Sequence, residues 1–425
     1  MILDEVQKCA SASNGSRALL PADVPPDSLH ALTETIRRLE PEGVDQLCAE
    51  TGYTLEDGRS LWRASYMFLS NVNILAQYHR NQLEAETDFY RKFSCGTSIC
   101  SVPWGRTLIC LPSNAAVPLA CILPLSFVIS GNMVTVAMPE KVRGSGELLL
   151  RALTEIYPSQ VSVWHGRTRD AVATLAGKGE CDLLYFLGSS AHYASITSMC
   201  ASVGVDLVYE GEGNSILYLE KGCDSVALQN AAAILVESKR FCHGQMCSAP
   251  NVVAVHVGNA EQFTQLFSEA SSRVSLHSPI RKLCSDATWE YANHFPADIA
   301  HAMPKSGDPG ACYHPILVPC NDLTYCVGHE VFCPLVFLYT YHDDSASAVL
   351  TPMPHRLQRT AVVTTFGPHN RSRIVRDVAR CCINTNPVVQ HPCLPWGCYG
   401  KSGASVLTDF VAKGFRRVLV ETPNE

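Results

Sequence analysis

The chain has 425 residues, 47% hydrophobic and 17% charged, a balance that excludes a disordered protein and predicts two or three packed domains. A net charge of −7 without any Lys/Arg cluster argues against nucleic acid or an anionic membrane surface as partner. The amino terminus, MILDEVQK, carries acidic residues where a secretion signal needs an apolar core, so the 20 cysteines are expected as reduced thiols of a cytoplasmic protein.

Residues 27–92 read as helical. Asp27 or Ser28, after Pro25-Pro26, can cap a helix whose Leu29, Leu32, Ile36 and Leu39 share one face. Trp62, Tyr66, Leu69, Val72 and Ala76 continue the spacing of three and four. The uncharged stretch between Arg106 and Glu140 is long enough to span a membrane, but Pro112, Pro118, Pro124 and Pro139 interrupt it. It parses as a strand over 107–111, a turn at Pro112-Ser113-Asn114, a helix over 118–129, a turn at Gly131-Asn132 and a strand over 133–138. Helices over 146–157, 170–176 and 191–203 then alternate with strands over 161–164, 182–186 and 206–209. That alternation predicts a doubly wound parallel sheet, with phosphate or ribose contacts at strand ends such as Gly166 and Gly188-Ser189-Ser190.

A helix over Ser225 to Arg240 leads into Phe241-Cys242-His243-Gly244-Gln245-Met246-Cys247, and a β-branched strand, Asn251 to Val257, follows. Most free cysteines are small buried apolar residues. A thiol at a turn between a helix and a strand is also a candidate nucleophile, because backbone amides there can stabilise a thiolate and the oxyanion it creates. Beyond it the pattern gives a helix over 261–272 and strands over 330–338 and 360–365. A glycine-rich loop, Pro395 to Gly403, a helix and a last strand over 417–420 close the chain. An unpaired terminal strand is a liability, which points to a partner subunit. The pairs Cys242/Cys247, Cys381/Cys382 and Cys393/Cys398 lack the spacing of a structural zinc site, so no metal is expected.

Taken together these segments resemble the aldehyde dehydrogenase superfamily, in order, from about residue 30 onward. Gly244-Gln245-Met246-Cys247 is similar to its nucleophile segment. Pro103-Trp104-Gly105 followed by Pro112-Ser113-Asn114 resembles its proline-glycine strand and Pro-Trp-Asn turn, Gly131-Asn132 with Pro139 its Gly-Asn turn and Lys-Pro strand end, and Phe186 to Ser190 its Phe-Thr-Gly-Ser-Thr turn. Glu210-Gly211-Glu212-Gly213 resembles Glu-Leu-Gly-Gly, Glu330-Val331-Phe332-Cys333-Pro334 resembles Glu-x-Phe-Gly-Pro, and Pro395-Trp396-Gly397 fits Pro-Phe-Gly. Met138 stands where the family has its cofactor-binding lysine, with Glu140 and Lys141 just beyond.

The resemblance implies an α/β protein, with a Rossmann-like cofactor domain joined to the amino-terminal helices over 1–212, an α/β catalytic domain over 213–405, and a carboxyl-terminal helix and strand over 406–425 as an oligomerisation arm. It implies a cofactor, NAD or NADP, held by Pro112, Met138, Gly188, Ser189, Glu330 and Phe332. It implies Cys247 as nucleophile, Asn114 as oxyanion donor and Glu210 as the base for deacylation, with Glu212 and Glu220 near enough in sequence to contest that last role. The expected reaction is oxidation of a small-molecule aldehyde to an acid through a thioester on Cys247. Reduction of an acyl thioester by NADPH, or the fold kept without turnover, are the alternatives. A homo-oligomer, dimer or tetramer, is expected. Without the resemblance, Asn114 reads as a turn residue, Glu210 as a surface carboxylate, Glu330 as a loop acid and His243 as structural.

Overall fold

A computed structural model describes residues 22–92, 97–211, 214–274, 314–322, 330–342, 360–366, 380–383, 387–388 and 410–421. The loop over 395–403 and Glu212 lie outside these residues. Three helices open the described chain: α1 (Pro26–Thr51), α2 (Leu55–Leu69) and α3 (Val72–Arg91). Pro26 itself occupies the first turn of α1, where a missing N–H costs nothing, so neither Asp27 nor Ser28 serves as the cap. Gly52 ends α1 in the left-handed conformation at φ 77°, and its N–H returns to the Cys48 carbonyl.

Five strands form the first sheet: β2 (Arg106–Cys110), β3 (Met133–Ala137), β4 (Val161–Trp164), β5 (Leu183–Leu187) and β6 (Asp206–Glu210). They pair in the order β4-β3-β2-β5-β6, all parallel. The order of strands therefore reverses between β2 and β5, and the crevice of a doubly wound sheet opens at their carboxyl ends, beside Pro112 and Gly188. The helices α4 (Ala116–Ile129), α5 (Arg143–Ile156), α6 (Thr168–Ala171) and α7 (Tyr193–Val203) flank it. The apolar stretch that raised the membrane question is α4, buried on every side except at Leu119. Among the described residues no helix is long and apolar enough to cross a membrane.

The second sheet was only partly legible. Its strands β7 (Asn214–Leu219), β8 (Val252–His256), β9 (Ile316–Pro319), β10 (Leu335–Tyr341), β11 (Thr360–Phe366) and β12 (Arg380–Ile383) are all parallel and pair in the order β12-β11-β7-β8-β10-β9. The central strand β7, Asn-Ser-Ile-Leu-Tyr-Leu, directly after a glycine motif, was not among the expected strands. Helices α8 (Ser225–Arg240) and α9 (Ala260–Ser272) cover one face through Leu228, Leu235, Phe263 and Phe267. The strand expected from Glu330 begins only at Leu335, so Glu330 and Phe332 lie on the loop that enters β10.

The terminal strand corrects another expectation. After α10 (Phe410–Lys413), β13 (Phe415–Glu421) pairs antiparallel with β1 (Thr97–Pro103) of the same chain, from Thr97 opposite Glu421 to Pro103 opposite Phe415. The last strand is therefore not alone: with β1 it forms a two-stranded sheet of its own.

Candidate active site

From Glu210, the last residue of β6, the chain passes almost directly to Asn214, the first of β7. The carboxyl rim of the first sheet thereby meets the amino rim of the second, and the Cys247 loop enters β8 at that junction. Ser215 Oγ donates to the Cys247 carbonyl at 2.9 Å, and Asn251 N–H donates to the Ser215 carbonyl at 2.8 Å. Both bonds fasten the loop to the start of β7.

What turns the chain out of α8 is a run of left-handed residues: Cys242 at φ 46°, His243 at 52° and Gly244 at 70°. The two non-glycine residues in this region cost of order 1–3 kcal/mol each and persist only where the surroundings impose them. Here the corner between α1 and α2 imposes them. The fully buried Asp57 carboxylate accepts the Cys242 N–H at 3.2 Å, and the buried His243 Nε2 bonds the Gly52 carbonyl at 3.0 Å. Arg240 lies 3.5 Å from Asp57 and forks onto Glu237 at 2.6 and 2.7 Å. Burial raises the Asp57 carboxyl above its ordinary range, against the lowering effect of Arg240. Burial lowers His243, in keeping with a structural rather than a basic role. At Gly244 a side chain would not fit, since a Cβ would stand 2.6 Å from the Cys333 carbonyl oxygen.

Asn114 comes to this loop from the other sheet. Its Nδ2 donates to the Gln245 carbonyl at 2.8 Å, two residues before the thiol. A carboxamide nitrogen carries two hydrogens, so one bond fixes the group and the second hydrogen is available for another acceptor. Tyr53 of the α1–α2 corner donates to the Gln245 side chain at 3.4 Å.

The Cys247 residue is half-buried. Desolvation pushes its thiol far above the ordinary range, the charges of Glu330 and Glu210 push it further, and its own N–H and that of Ser248 pull the other way. The thiol lies within electrostatic reach of two carboxylates.

Those carboxylates are held differently. Glu210 is buried rather than a surface acid: Lys413 Nζ lies 2.7 Å from its Oε1 in a pair that is 5% and 6% exposed, and the Tyr185 hydroxyl donates to the same oxygen. Glu330 is buried on the loop before β10. That loop is tied down by the fully buried Lys239, whose Nζ donates to the Asn251 side chain at 2.9 Å and reaches the Val331 carbonyl at 3.5 Å. Phe332 next to it is half-buried. Glu220, the contender for the basic role, is at the far end of β7, roughly 20 Å from the rim at a rise of about 3.3 Å per residue.

The remaining expected residues line the first sheet. Pro112 follows β2, half-buried, and Gly188 and Ser189 follow β5, half-buried and exposed. Gly188 N–H donates to the Glu210 carbonyl at 3.0 Å, and the Tyr209 hydroxyl donates to the Ser189 carbonyl. Under the turn Phe186 stacks on Tyr209 at 5.1 Å, and a Cβ on Gly188 would strike the Phe186 ring at 2.6 Å. Met138 follows β3. Its side chain is fully buried, with Cε 1.9 Å from where a Gly146 Cβ would sit, so it packs the end of β3 against α5. Sequence reading also missed Asp57, Tyr185, Lys239 and Lys413, whose placement depends on contacts between distant segments. Among the described residues no group of His, Cys, Asp and Glu could hold a metal ion.

With this geometry in hand the comparisons are direct. The profile of the aldehyde dehydrogenase family matches residues 4–417, and the chain belongs to that family of oxidoreductases. No curated protein matches it by sequence. Solved structures that it resembles include lactaldehyde dehydrogenase from Escherichia coli, at 15% identity and a TM-score of 0.75 over 99% of this chain and 91% of that one. Another is NAD-dependent aldehyde dehydrogenase from Sinorhizobium meliloti, at 18% identity and TM-score 0.76 over 99% and 88%. A betaine aldehyde dehydrogenase double mutant from Staphylococcus aureus, in complex with NAD+, matches at 15% and 0.76 over 99% and 89%. At these identities the likeness is one of fold.

Proposed function

We propose that the protein oxidises an aldehyde to a carboxylic acid with NAD or NADP, through a thioester on Cys247. The observation that carries this reading is the bond from Asn114 Nδ2 to the Gln245 carbonyl, which brings an amide donor from one sheet beside a thiol from the other. A packing cysteine has no use for that arrangement; an oxyanion has.

The donor set fits a nicotinamide dinucleotide. The exposed Ser189 at the amino end of the turn into α7 suits a pyrophosphate, and the buried Glu330 carboxylate, an acceptor only, suits ribose hydroxyls. Bound there, the oxidised nicotinamide supplies the hydride acceptor and a positive ring charge. Cys247, passing its proton to solvent, adds as thiolate to the aldehyde carbon. The oxyanion takes its hydrogen bonds from Asn114 Nδ2 and from the Cys247 N–H. After hydride loss leaves the thioester, Glu210 accepts a proton from the water that attacks it. We further propose that the division near residue 212 separates the cofactor-holding part from the part that carries the nucleophile.

The test is to offer a panel of aldehydes with NAD or NADP and, in parallel, acyl-CoA thioesters with NADPH, with Cys247→Ala as control. Reduced cofactor formed only with Cys247 present is the expected result. Consumption of NADPH by thioesters, with no aldehyde oxidised, would overturn it in favour of a thioester reductase.

A further inference from the structure

Lys413 has no place in the chemistry so far, yet its ammonium stands in the site. Its Nζ is 2.7 Å from Glu210 Oε1 and 5.8 Å from the centre of the Tyr185 ring, whose hydroxyl donates to that same oxygen. The residue comes from α10, two hundred positions beyond Glu210 in the chain. Its backbone is clamped from both sides: Trp104 Nε1 donates to the Lys413 carbonyl at 3.1 Å, and Asn132 Nδ2 donates to the Gly414 carbonyl at 2.6 Å. Gly414 is packed so closely that a Cβ would meet Ser130 Oγ at 2.6 Å and the Ser126 carbonyl oxygen at 2.7 Å. The register of β13 on β1 continues that clamp, with Phe415 opposite Pro103.

We infer that Lys413 is a positioning residue for Glu210 in the deacylation step, so that the carboxyl-terminal segment completes the active site. The inference rests on the reading of Cys247 as nucleophile and Glu210 as base. In that step the water oxygen bonds to the thioester carbon, one water proton passes to Glu210, the C–S bond breaks and Cys247 leaves as thiolate, releasing the acid. Two carboxylates, Glu210 and Glu330, act on the Cys247 thiol. The ammonium of Lys413 on Glu210 fixes where that carboxylate stands. Acylation of Cys247 does not use the Glu210 carboxylate as its base; water attack does.

An active ester, 4-nitrophenyl acetate, separates the two phases without cofactor or natural substrate. The burst of nitrophenolate reports acylation of Cys247, and the steady state that follows reports hydrolysis. Lys413→Met should keep the burst and slow the steady state at least tenfold, while Lys413→Arg restores it to within about threefold. Tyr185→Phe, which leaves the ion pair in place, should slow the same phase by less and serves if the methionine variant does not fold. A steady state indifferent to Lys413 and Tyr185, or a burst and steady state lost together without rescue by arginine, overturns the inference alone. A wild-type protein with no Cys247-dependent burst overturns the Cys247 reading and the inference with it.

Discussion

Two remote parts of the chain meet at the same site, and they grip different things. The α1–α2 corner, through Gly52, Tyr53 and Asp57, holds the backbone that aims Cys247. The carboxyl-terminal segment, through Lys413, holds a side chain, the Glu210 carboxylate. The first grip imposes a left-handed turn that Cys242 and His243 would not adopt alone; the second neutralises a buried charge. Orientation of the nucleophile and charge of the acid are thus supplied from opposite ends of the sequence, and each can be broken without touching the other.

The largest effect should come from Asn114→Ala. Losing one oxyanion donor costs about 2.7–4 kcal/mol of barrier, a fall of roughly a hundredfold to a thousandfold in kcat, while the rate of Cys247 alkylation stays within a factor of about two. An equal loss in alkylation would mean that Asn114 only shapes the loop. Next is Asp57→Ala, which orphans the buried Cys242 N–H and removes one of the two carboxylates beside Arg240. It should lower unfolding free energy by about 3 kcal/mol in denaturant titration, with Asp57→Asn, still an acceptor, losing less than half of that. A third variant, Gly244→Ala, strains a residue at φ 70° against the Cys333 carbonyl and should cost about 1–3 kcal/mol by the same titration.

The smallest effect concerns the thiol itself. Because burial, Glu330 and Glu210 raise Cys247, its alkylation by iodoacetamide should climb about tenfold per pH unit and not level off at the ordinary thiol value of about 8.5. The sign for stability follows: a folded-state thiol raised above its unfolded value contributes fully below the unfolded value and loses that contribution as pH rises toward the folded one. Adding NAD+ or NADP+, whose ring charge opposes the two carboxylates, should speed alkylation at pH 7 several-fold. A plateau near pH 7 without cofactor would contradict the electrostatics of the site.

Local pattern carried the helices and strands of the first sheet, because there each element has its own period and its own glycine or proline boundary. The resemblance of Gly244 to Cys247, of the Pro112 to Asn114 turn and of the Glu330 loop to aldehyde dehydrogenase segments pointed to the family from the sequence alone. β7 escaped because a central parallel strand, buried on both faces, shows no alternation, and Gly211 to Gly213 directly before it reads as a turn. The terminal strand was legible as a strand but not as the partner of β1, since register between segments so far apart has no local signature. Met138 was placed at a cofactor position by its motif, and its packing against Gly146 was decided by the fold. What the sequence determined by itself was the order of elements in the first sheet and which thiol stands at the turn. That Asp57 imposes that turn, that Lys413 meets Glu210 and that Asn114 meets Gln245 was decided only in three dimensions, where burial leaves a charge or an amide stable only beside the group that satisfies it.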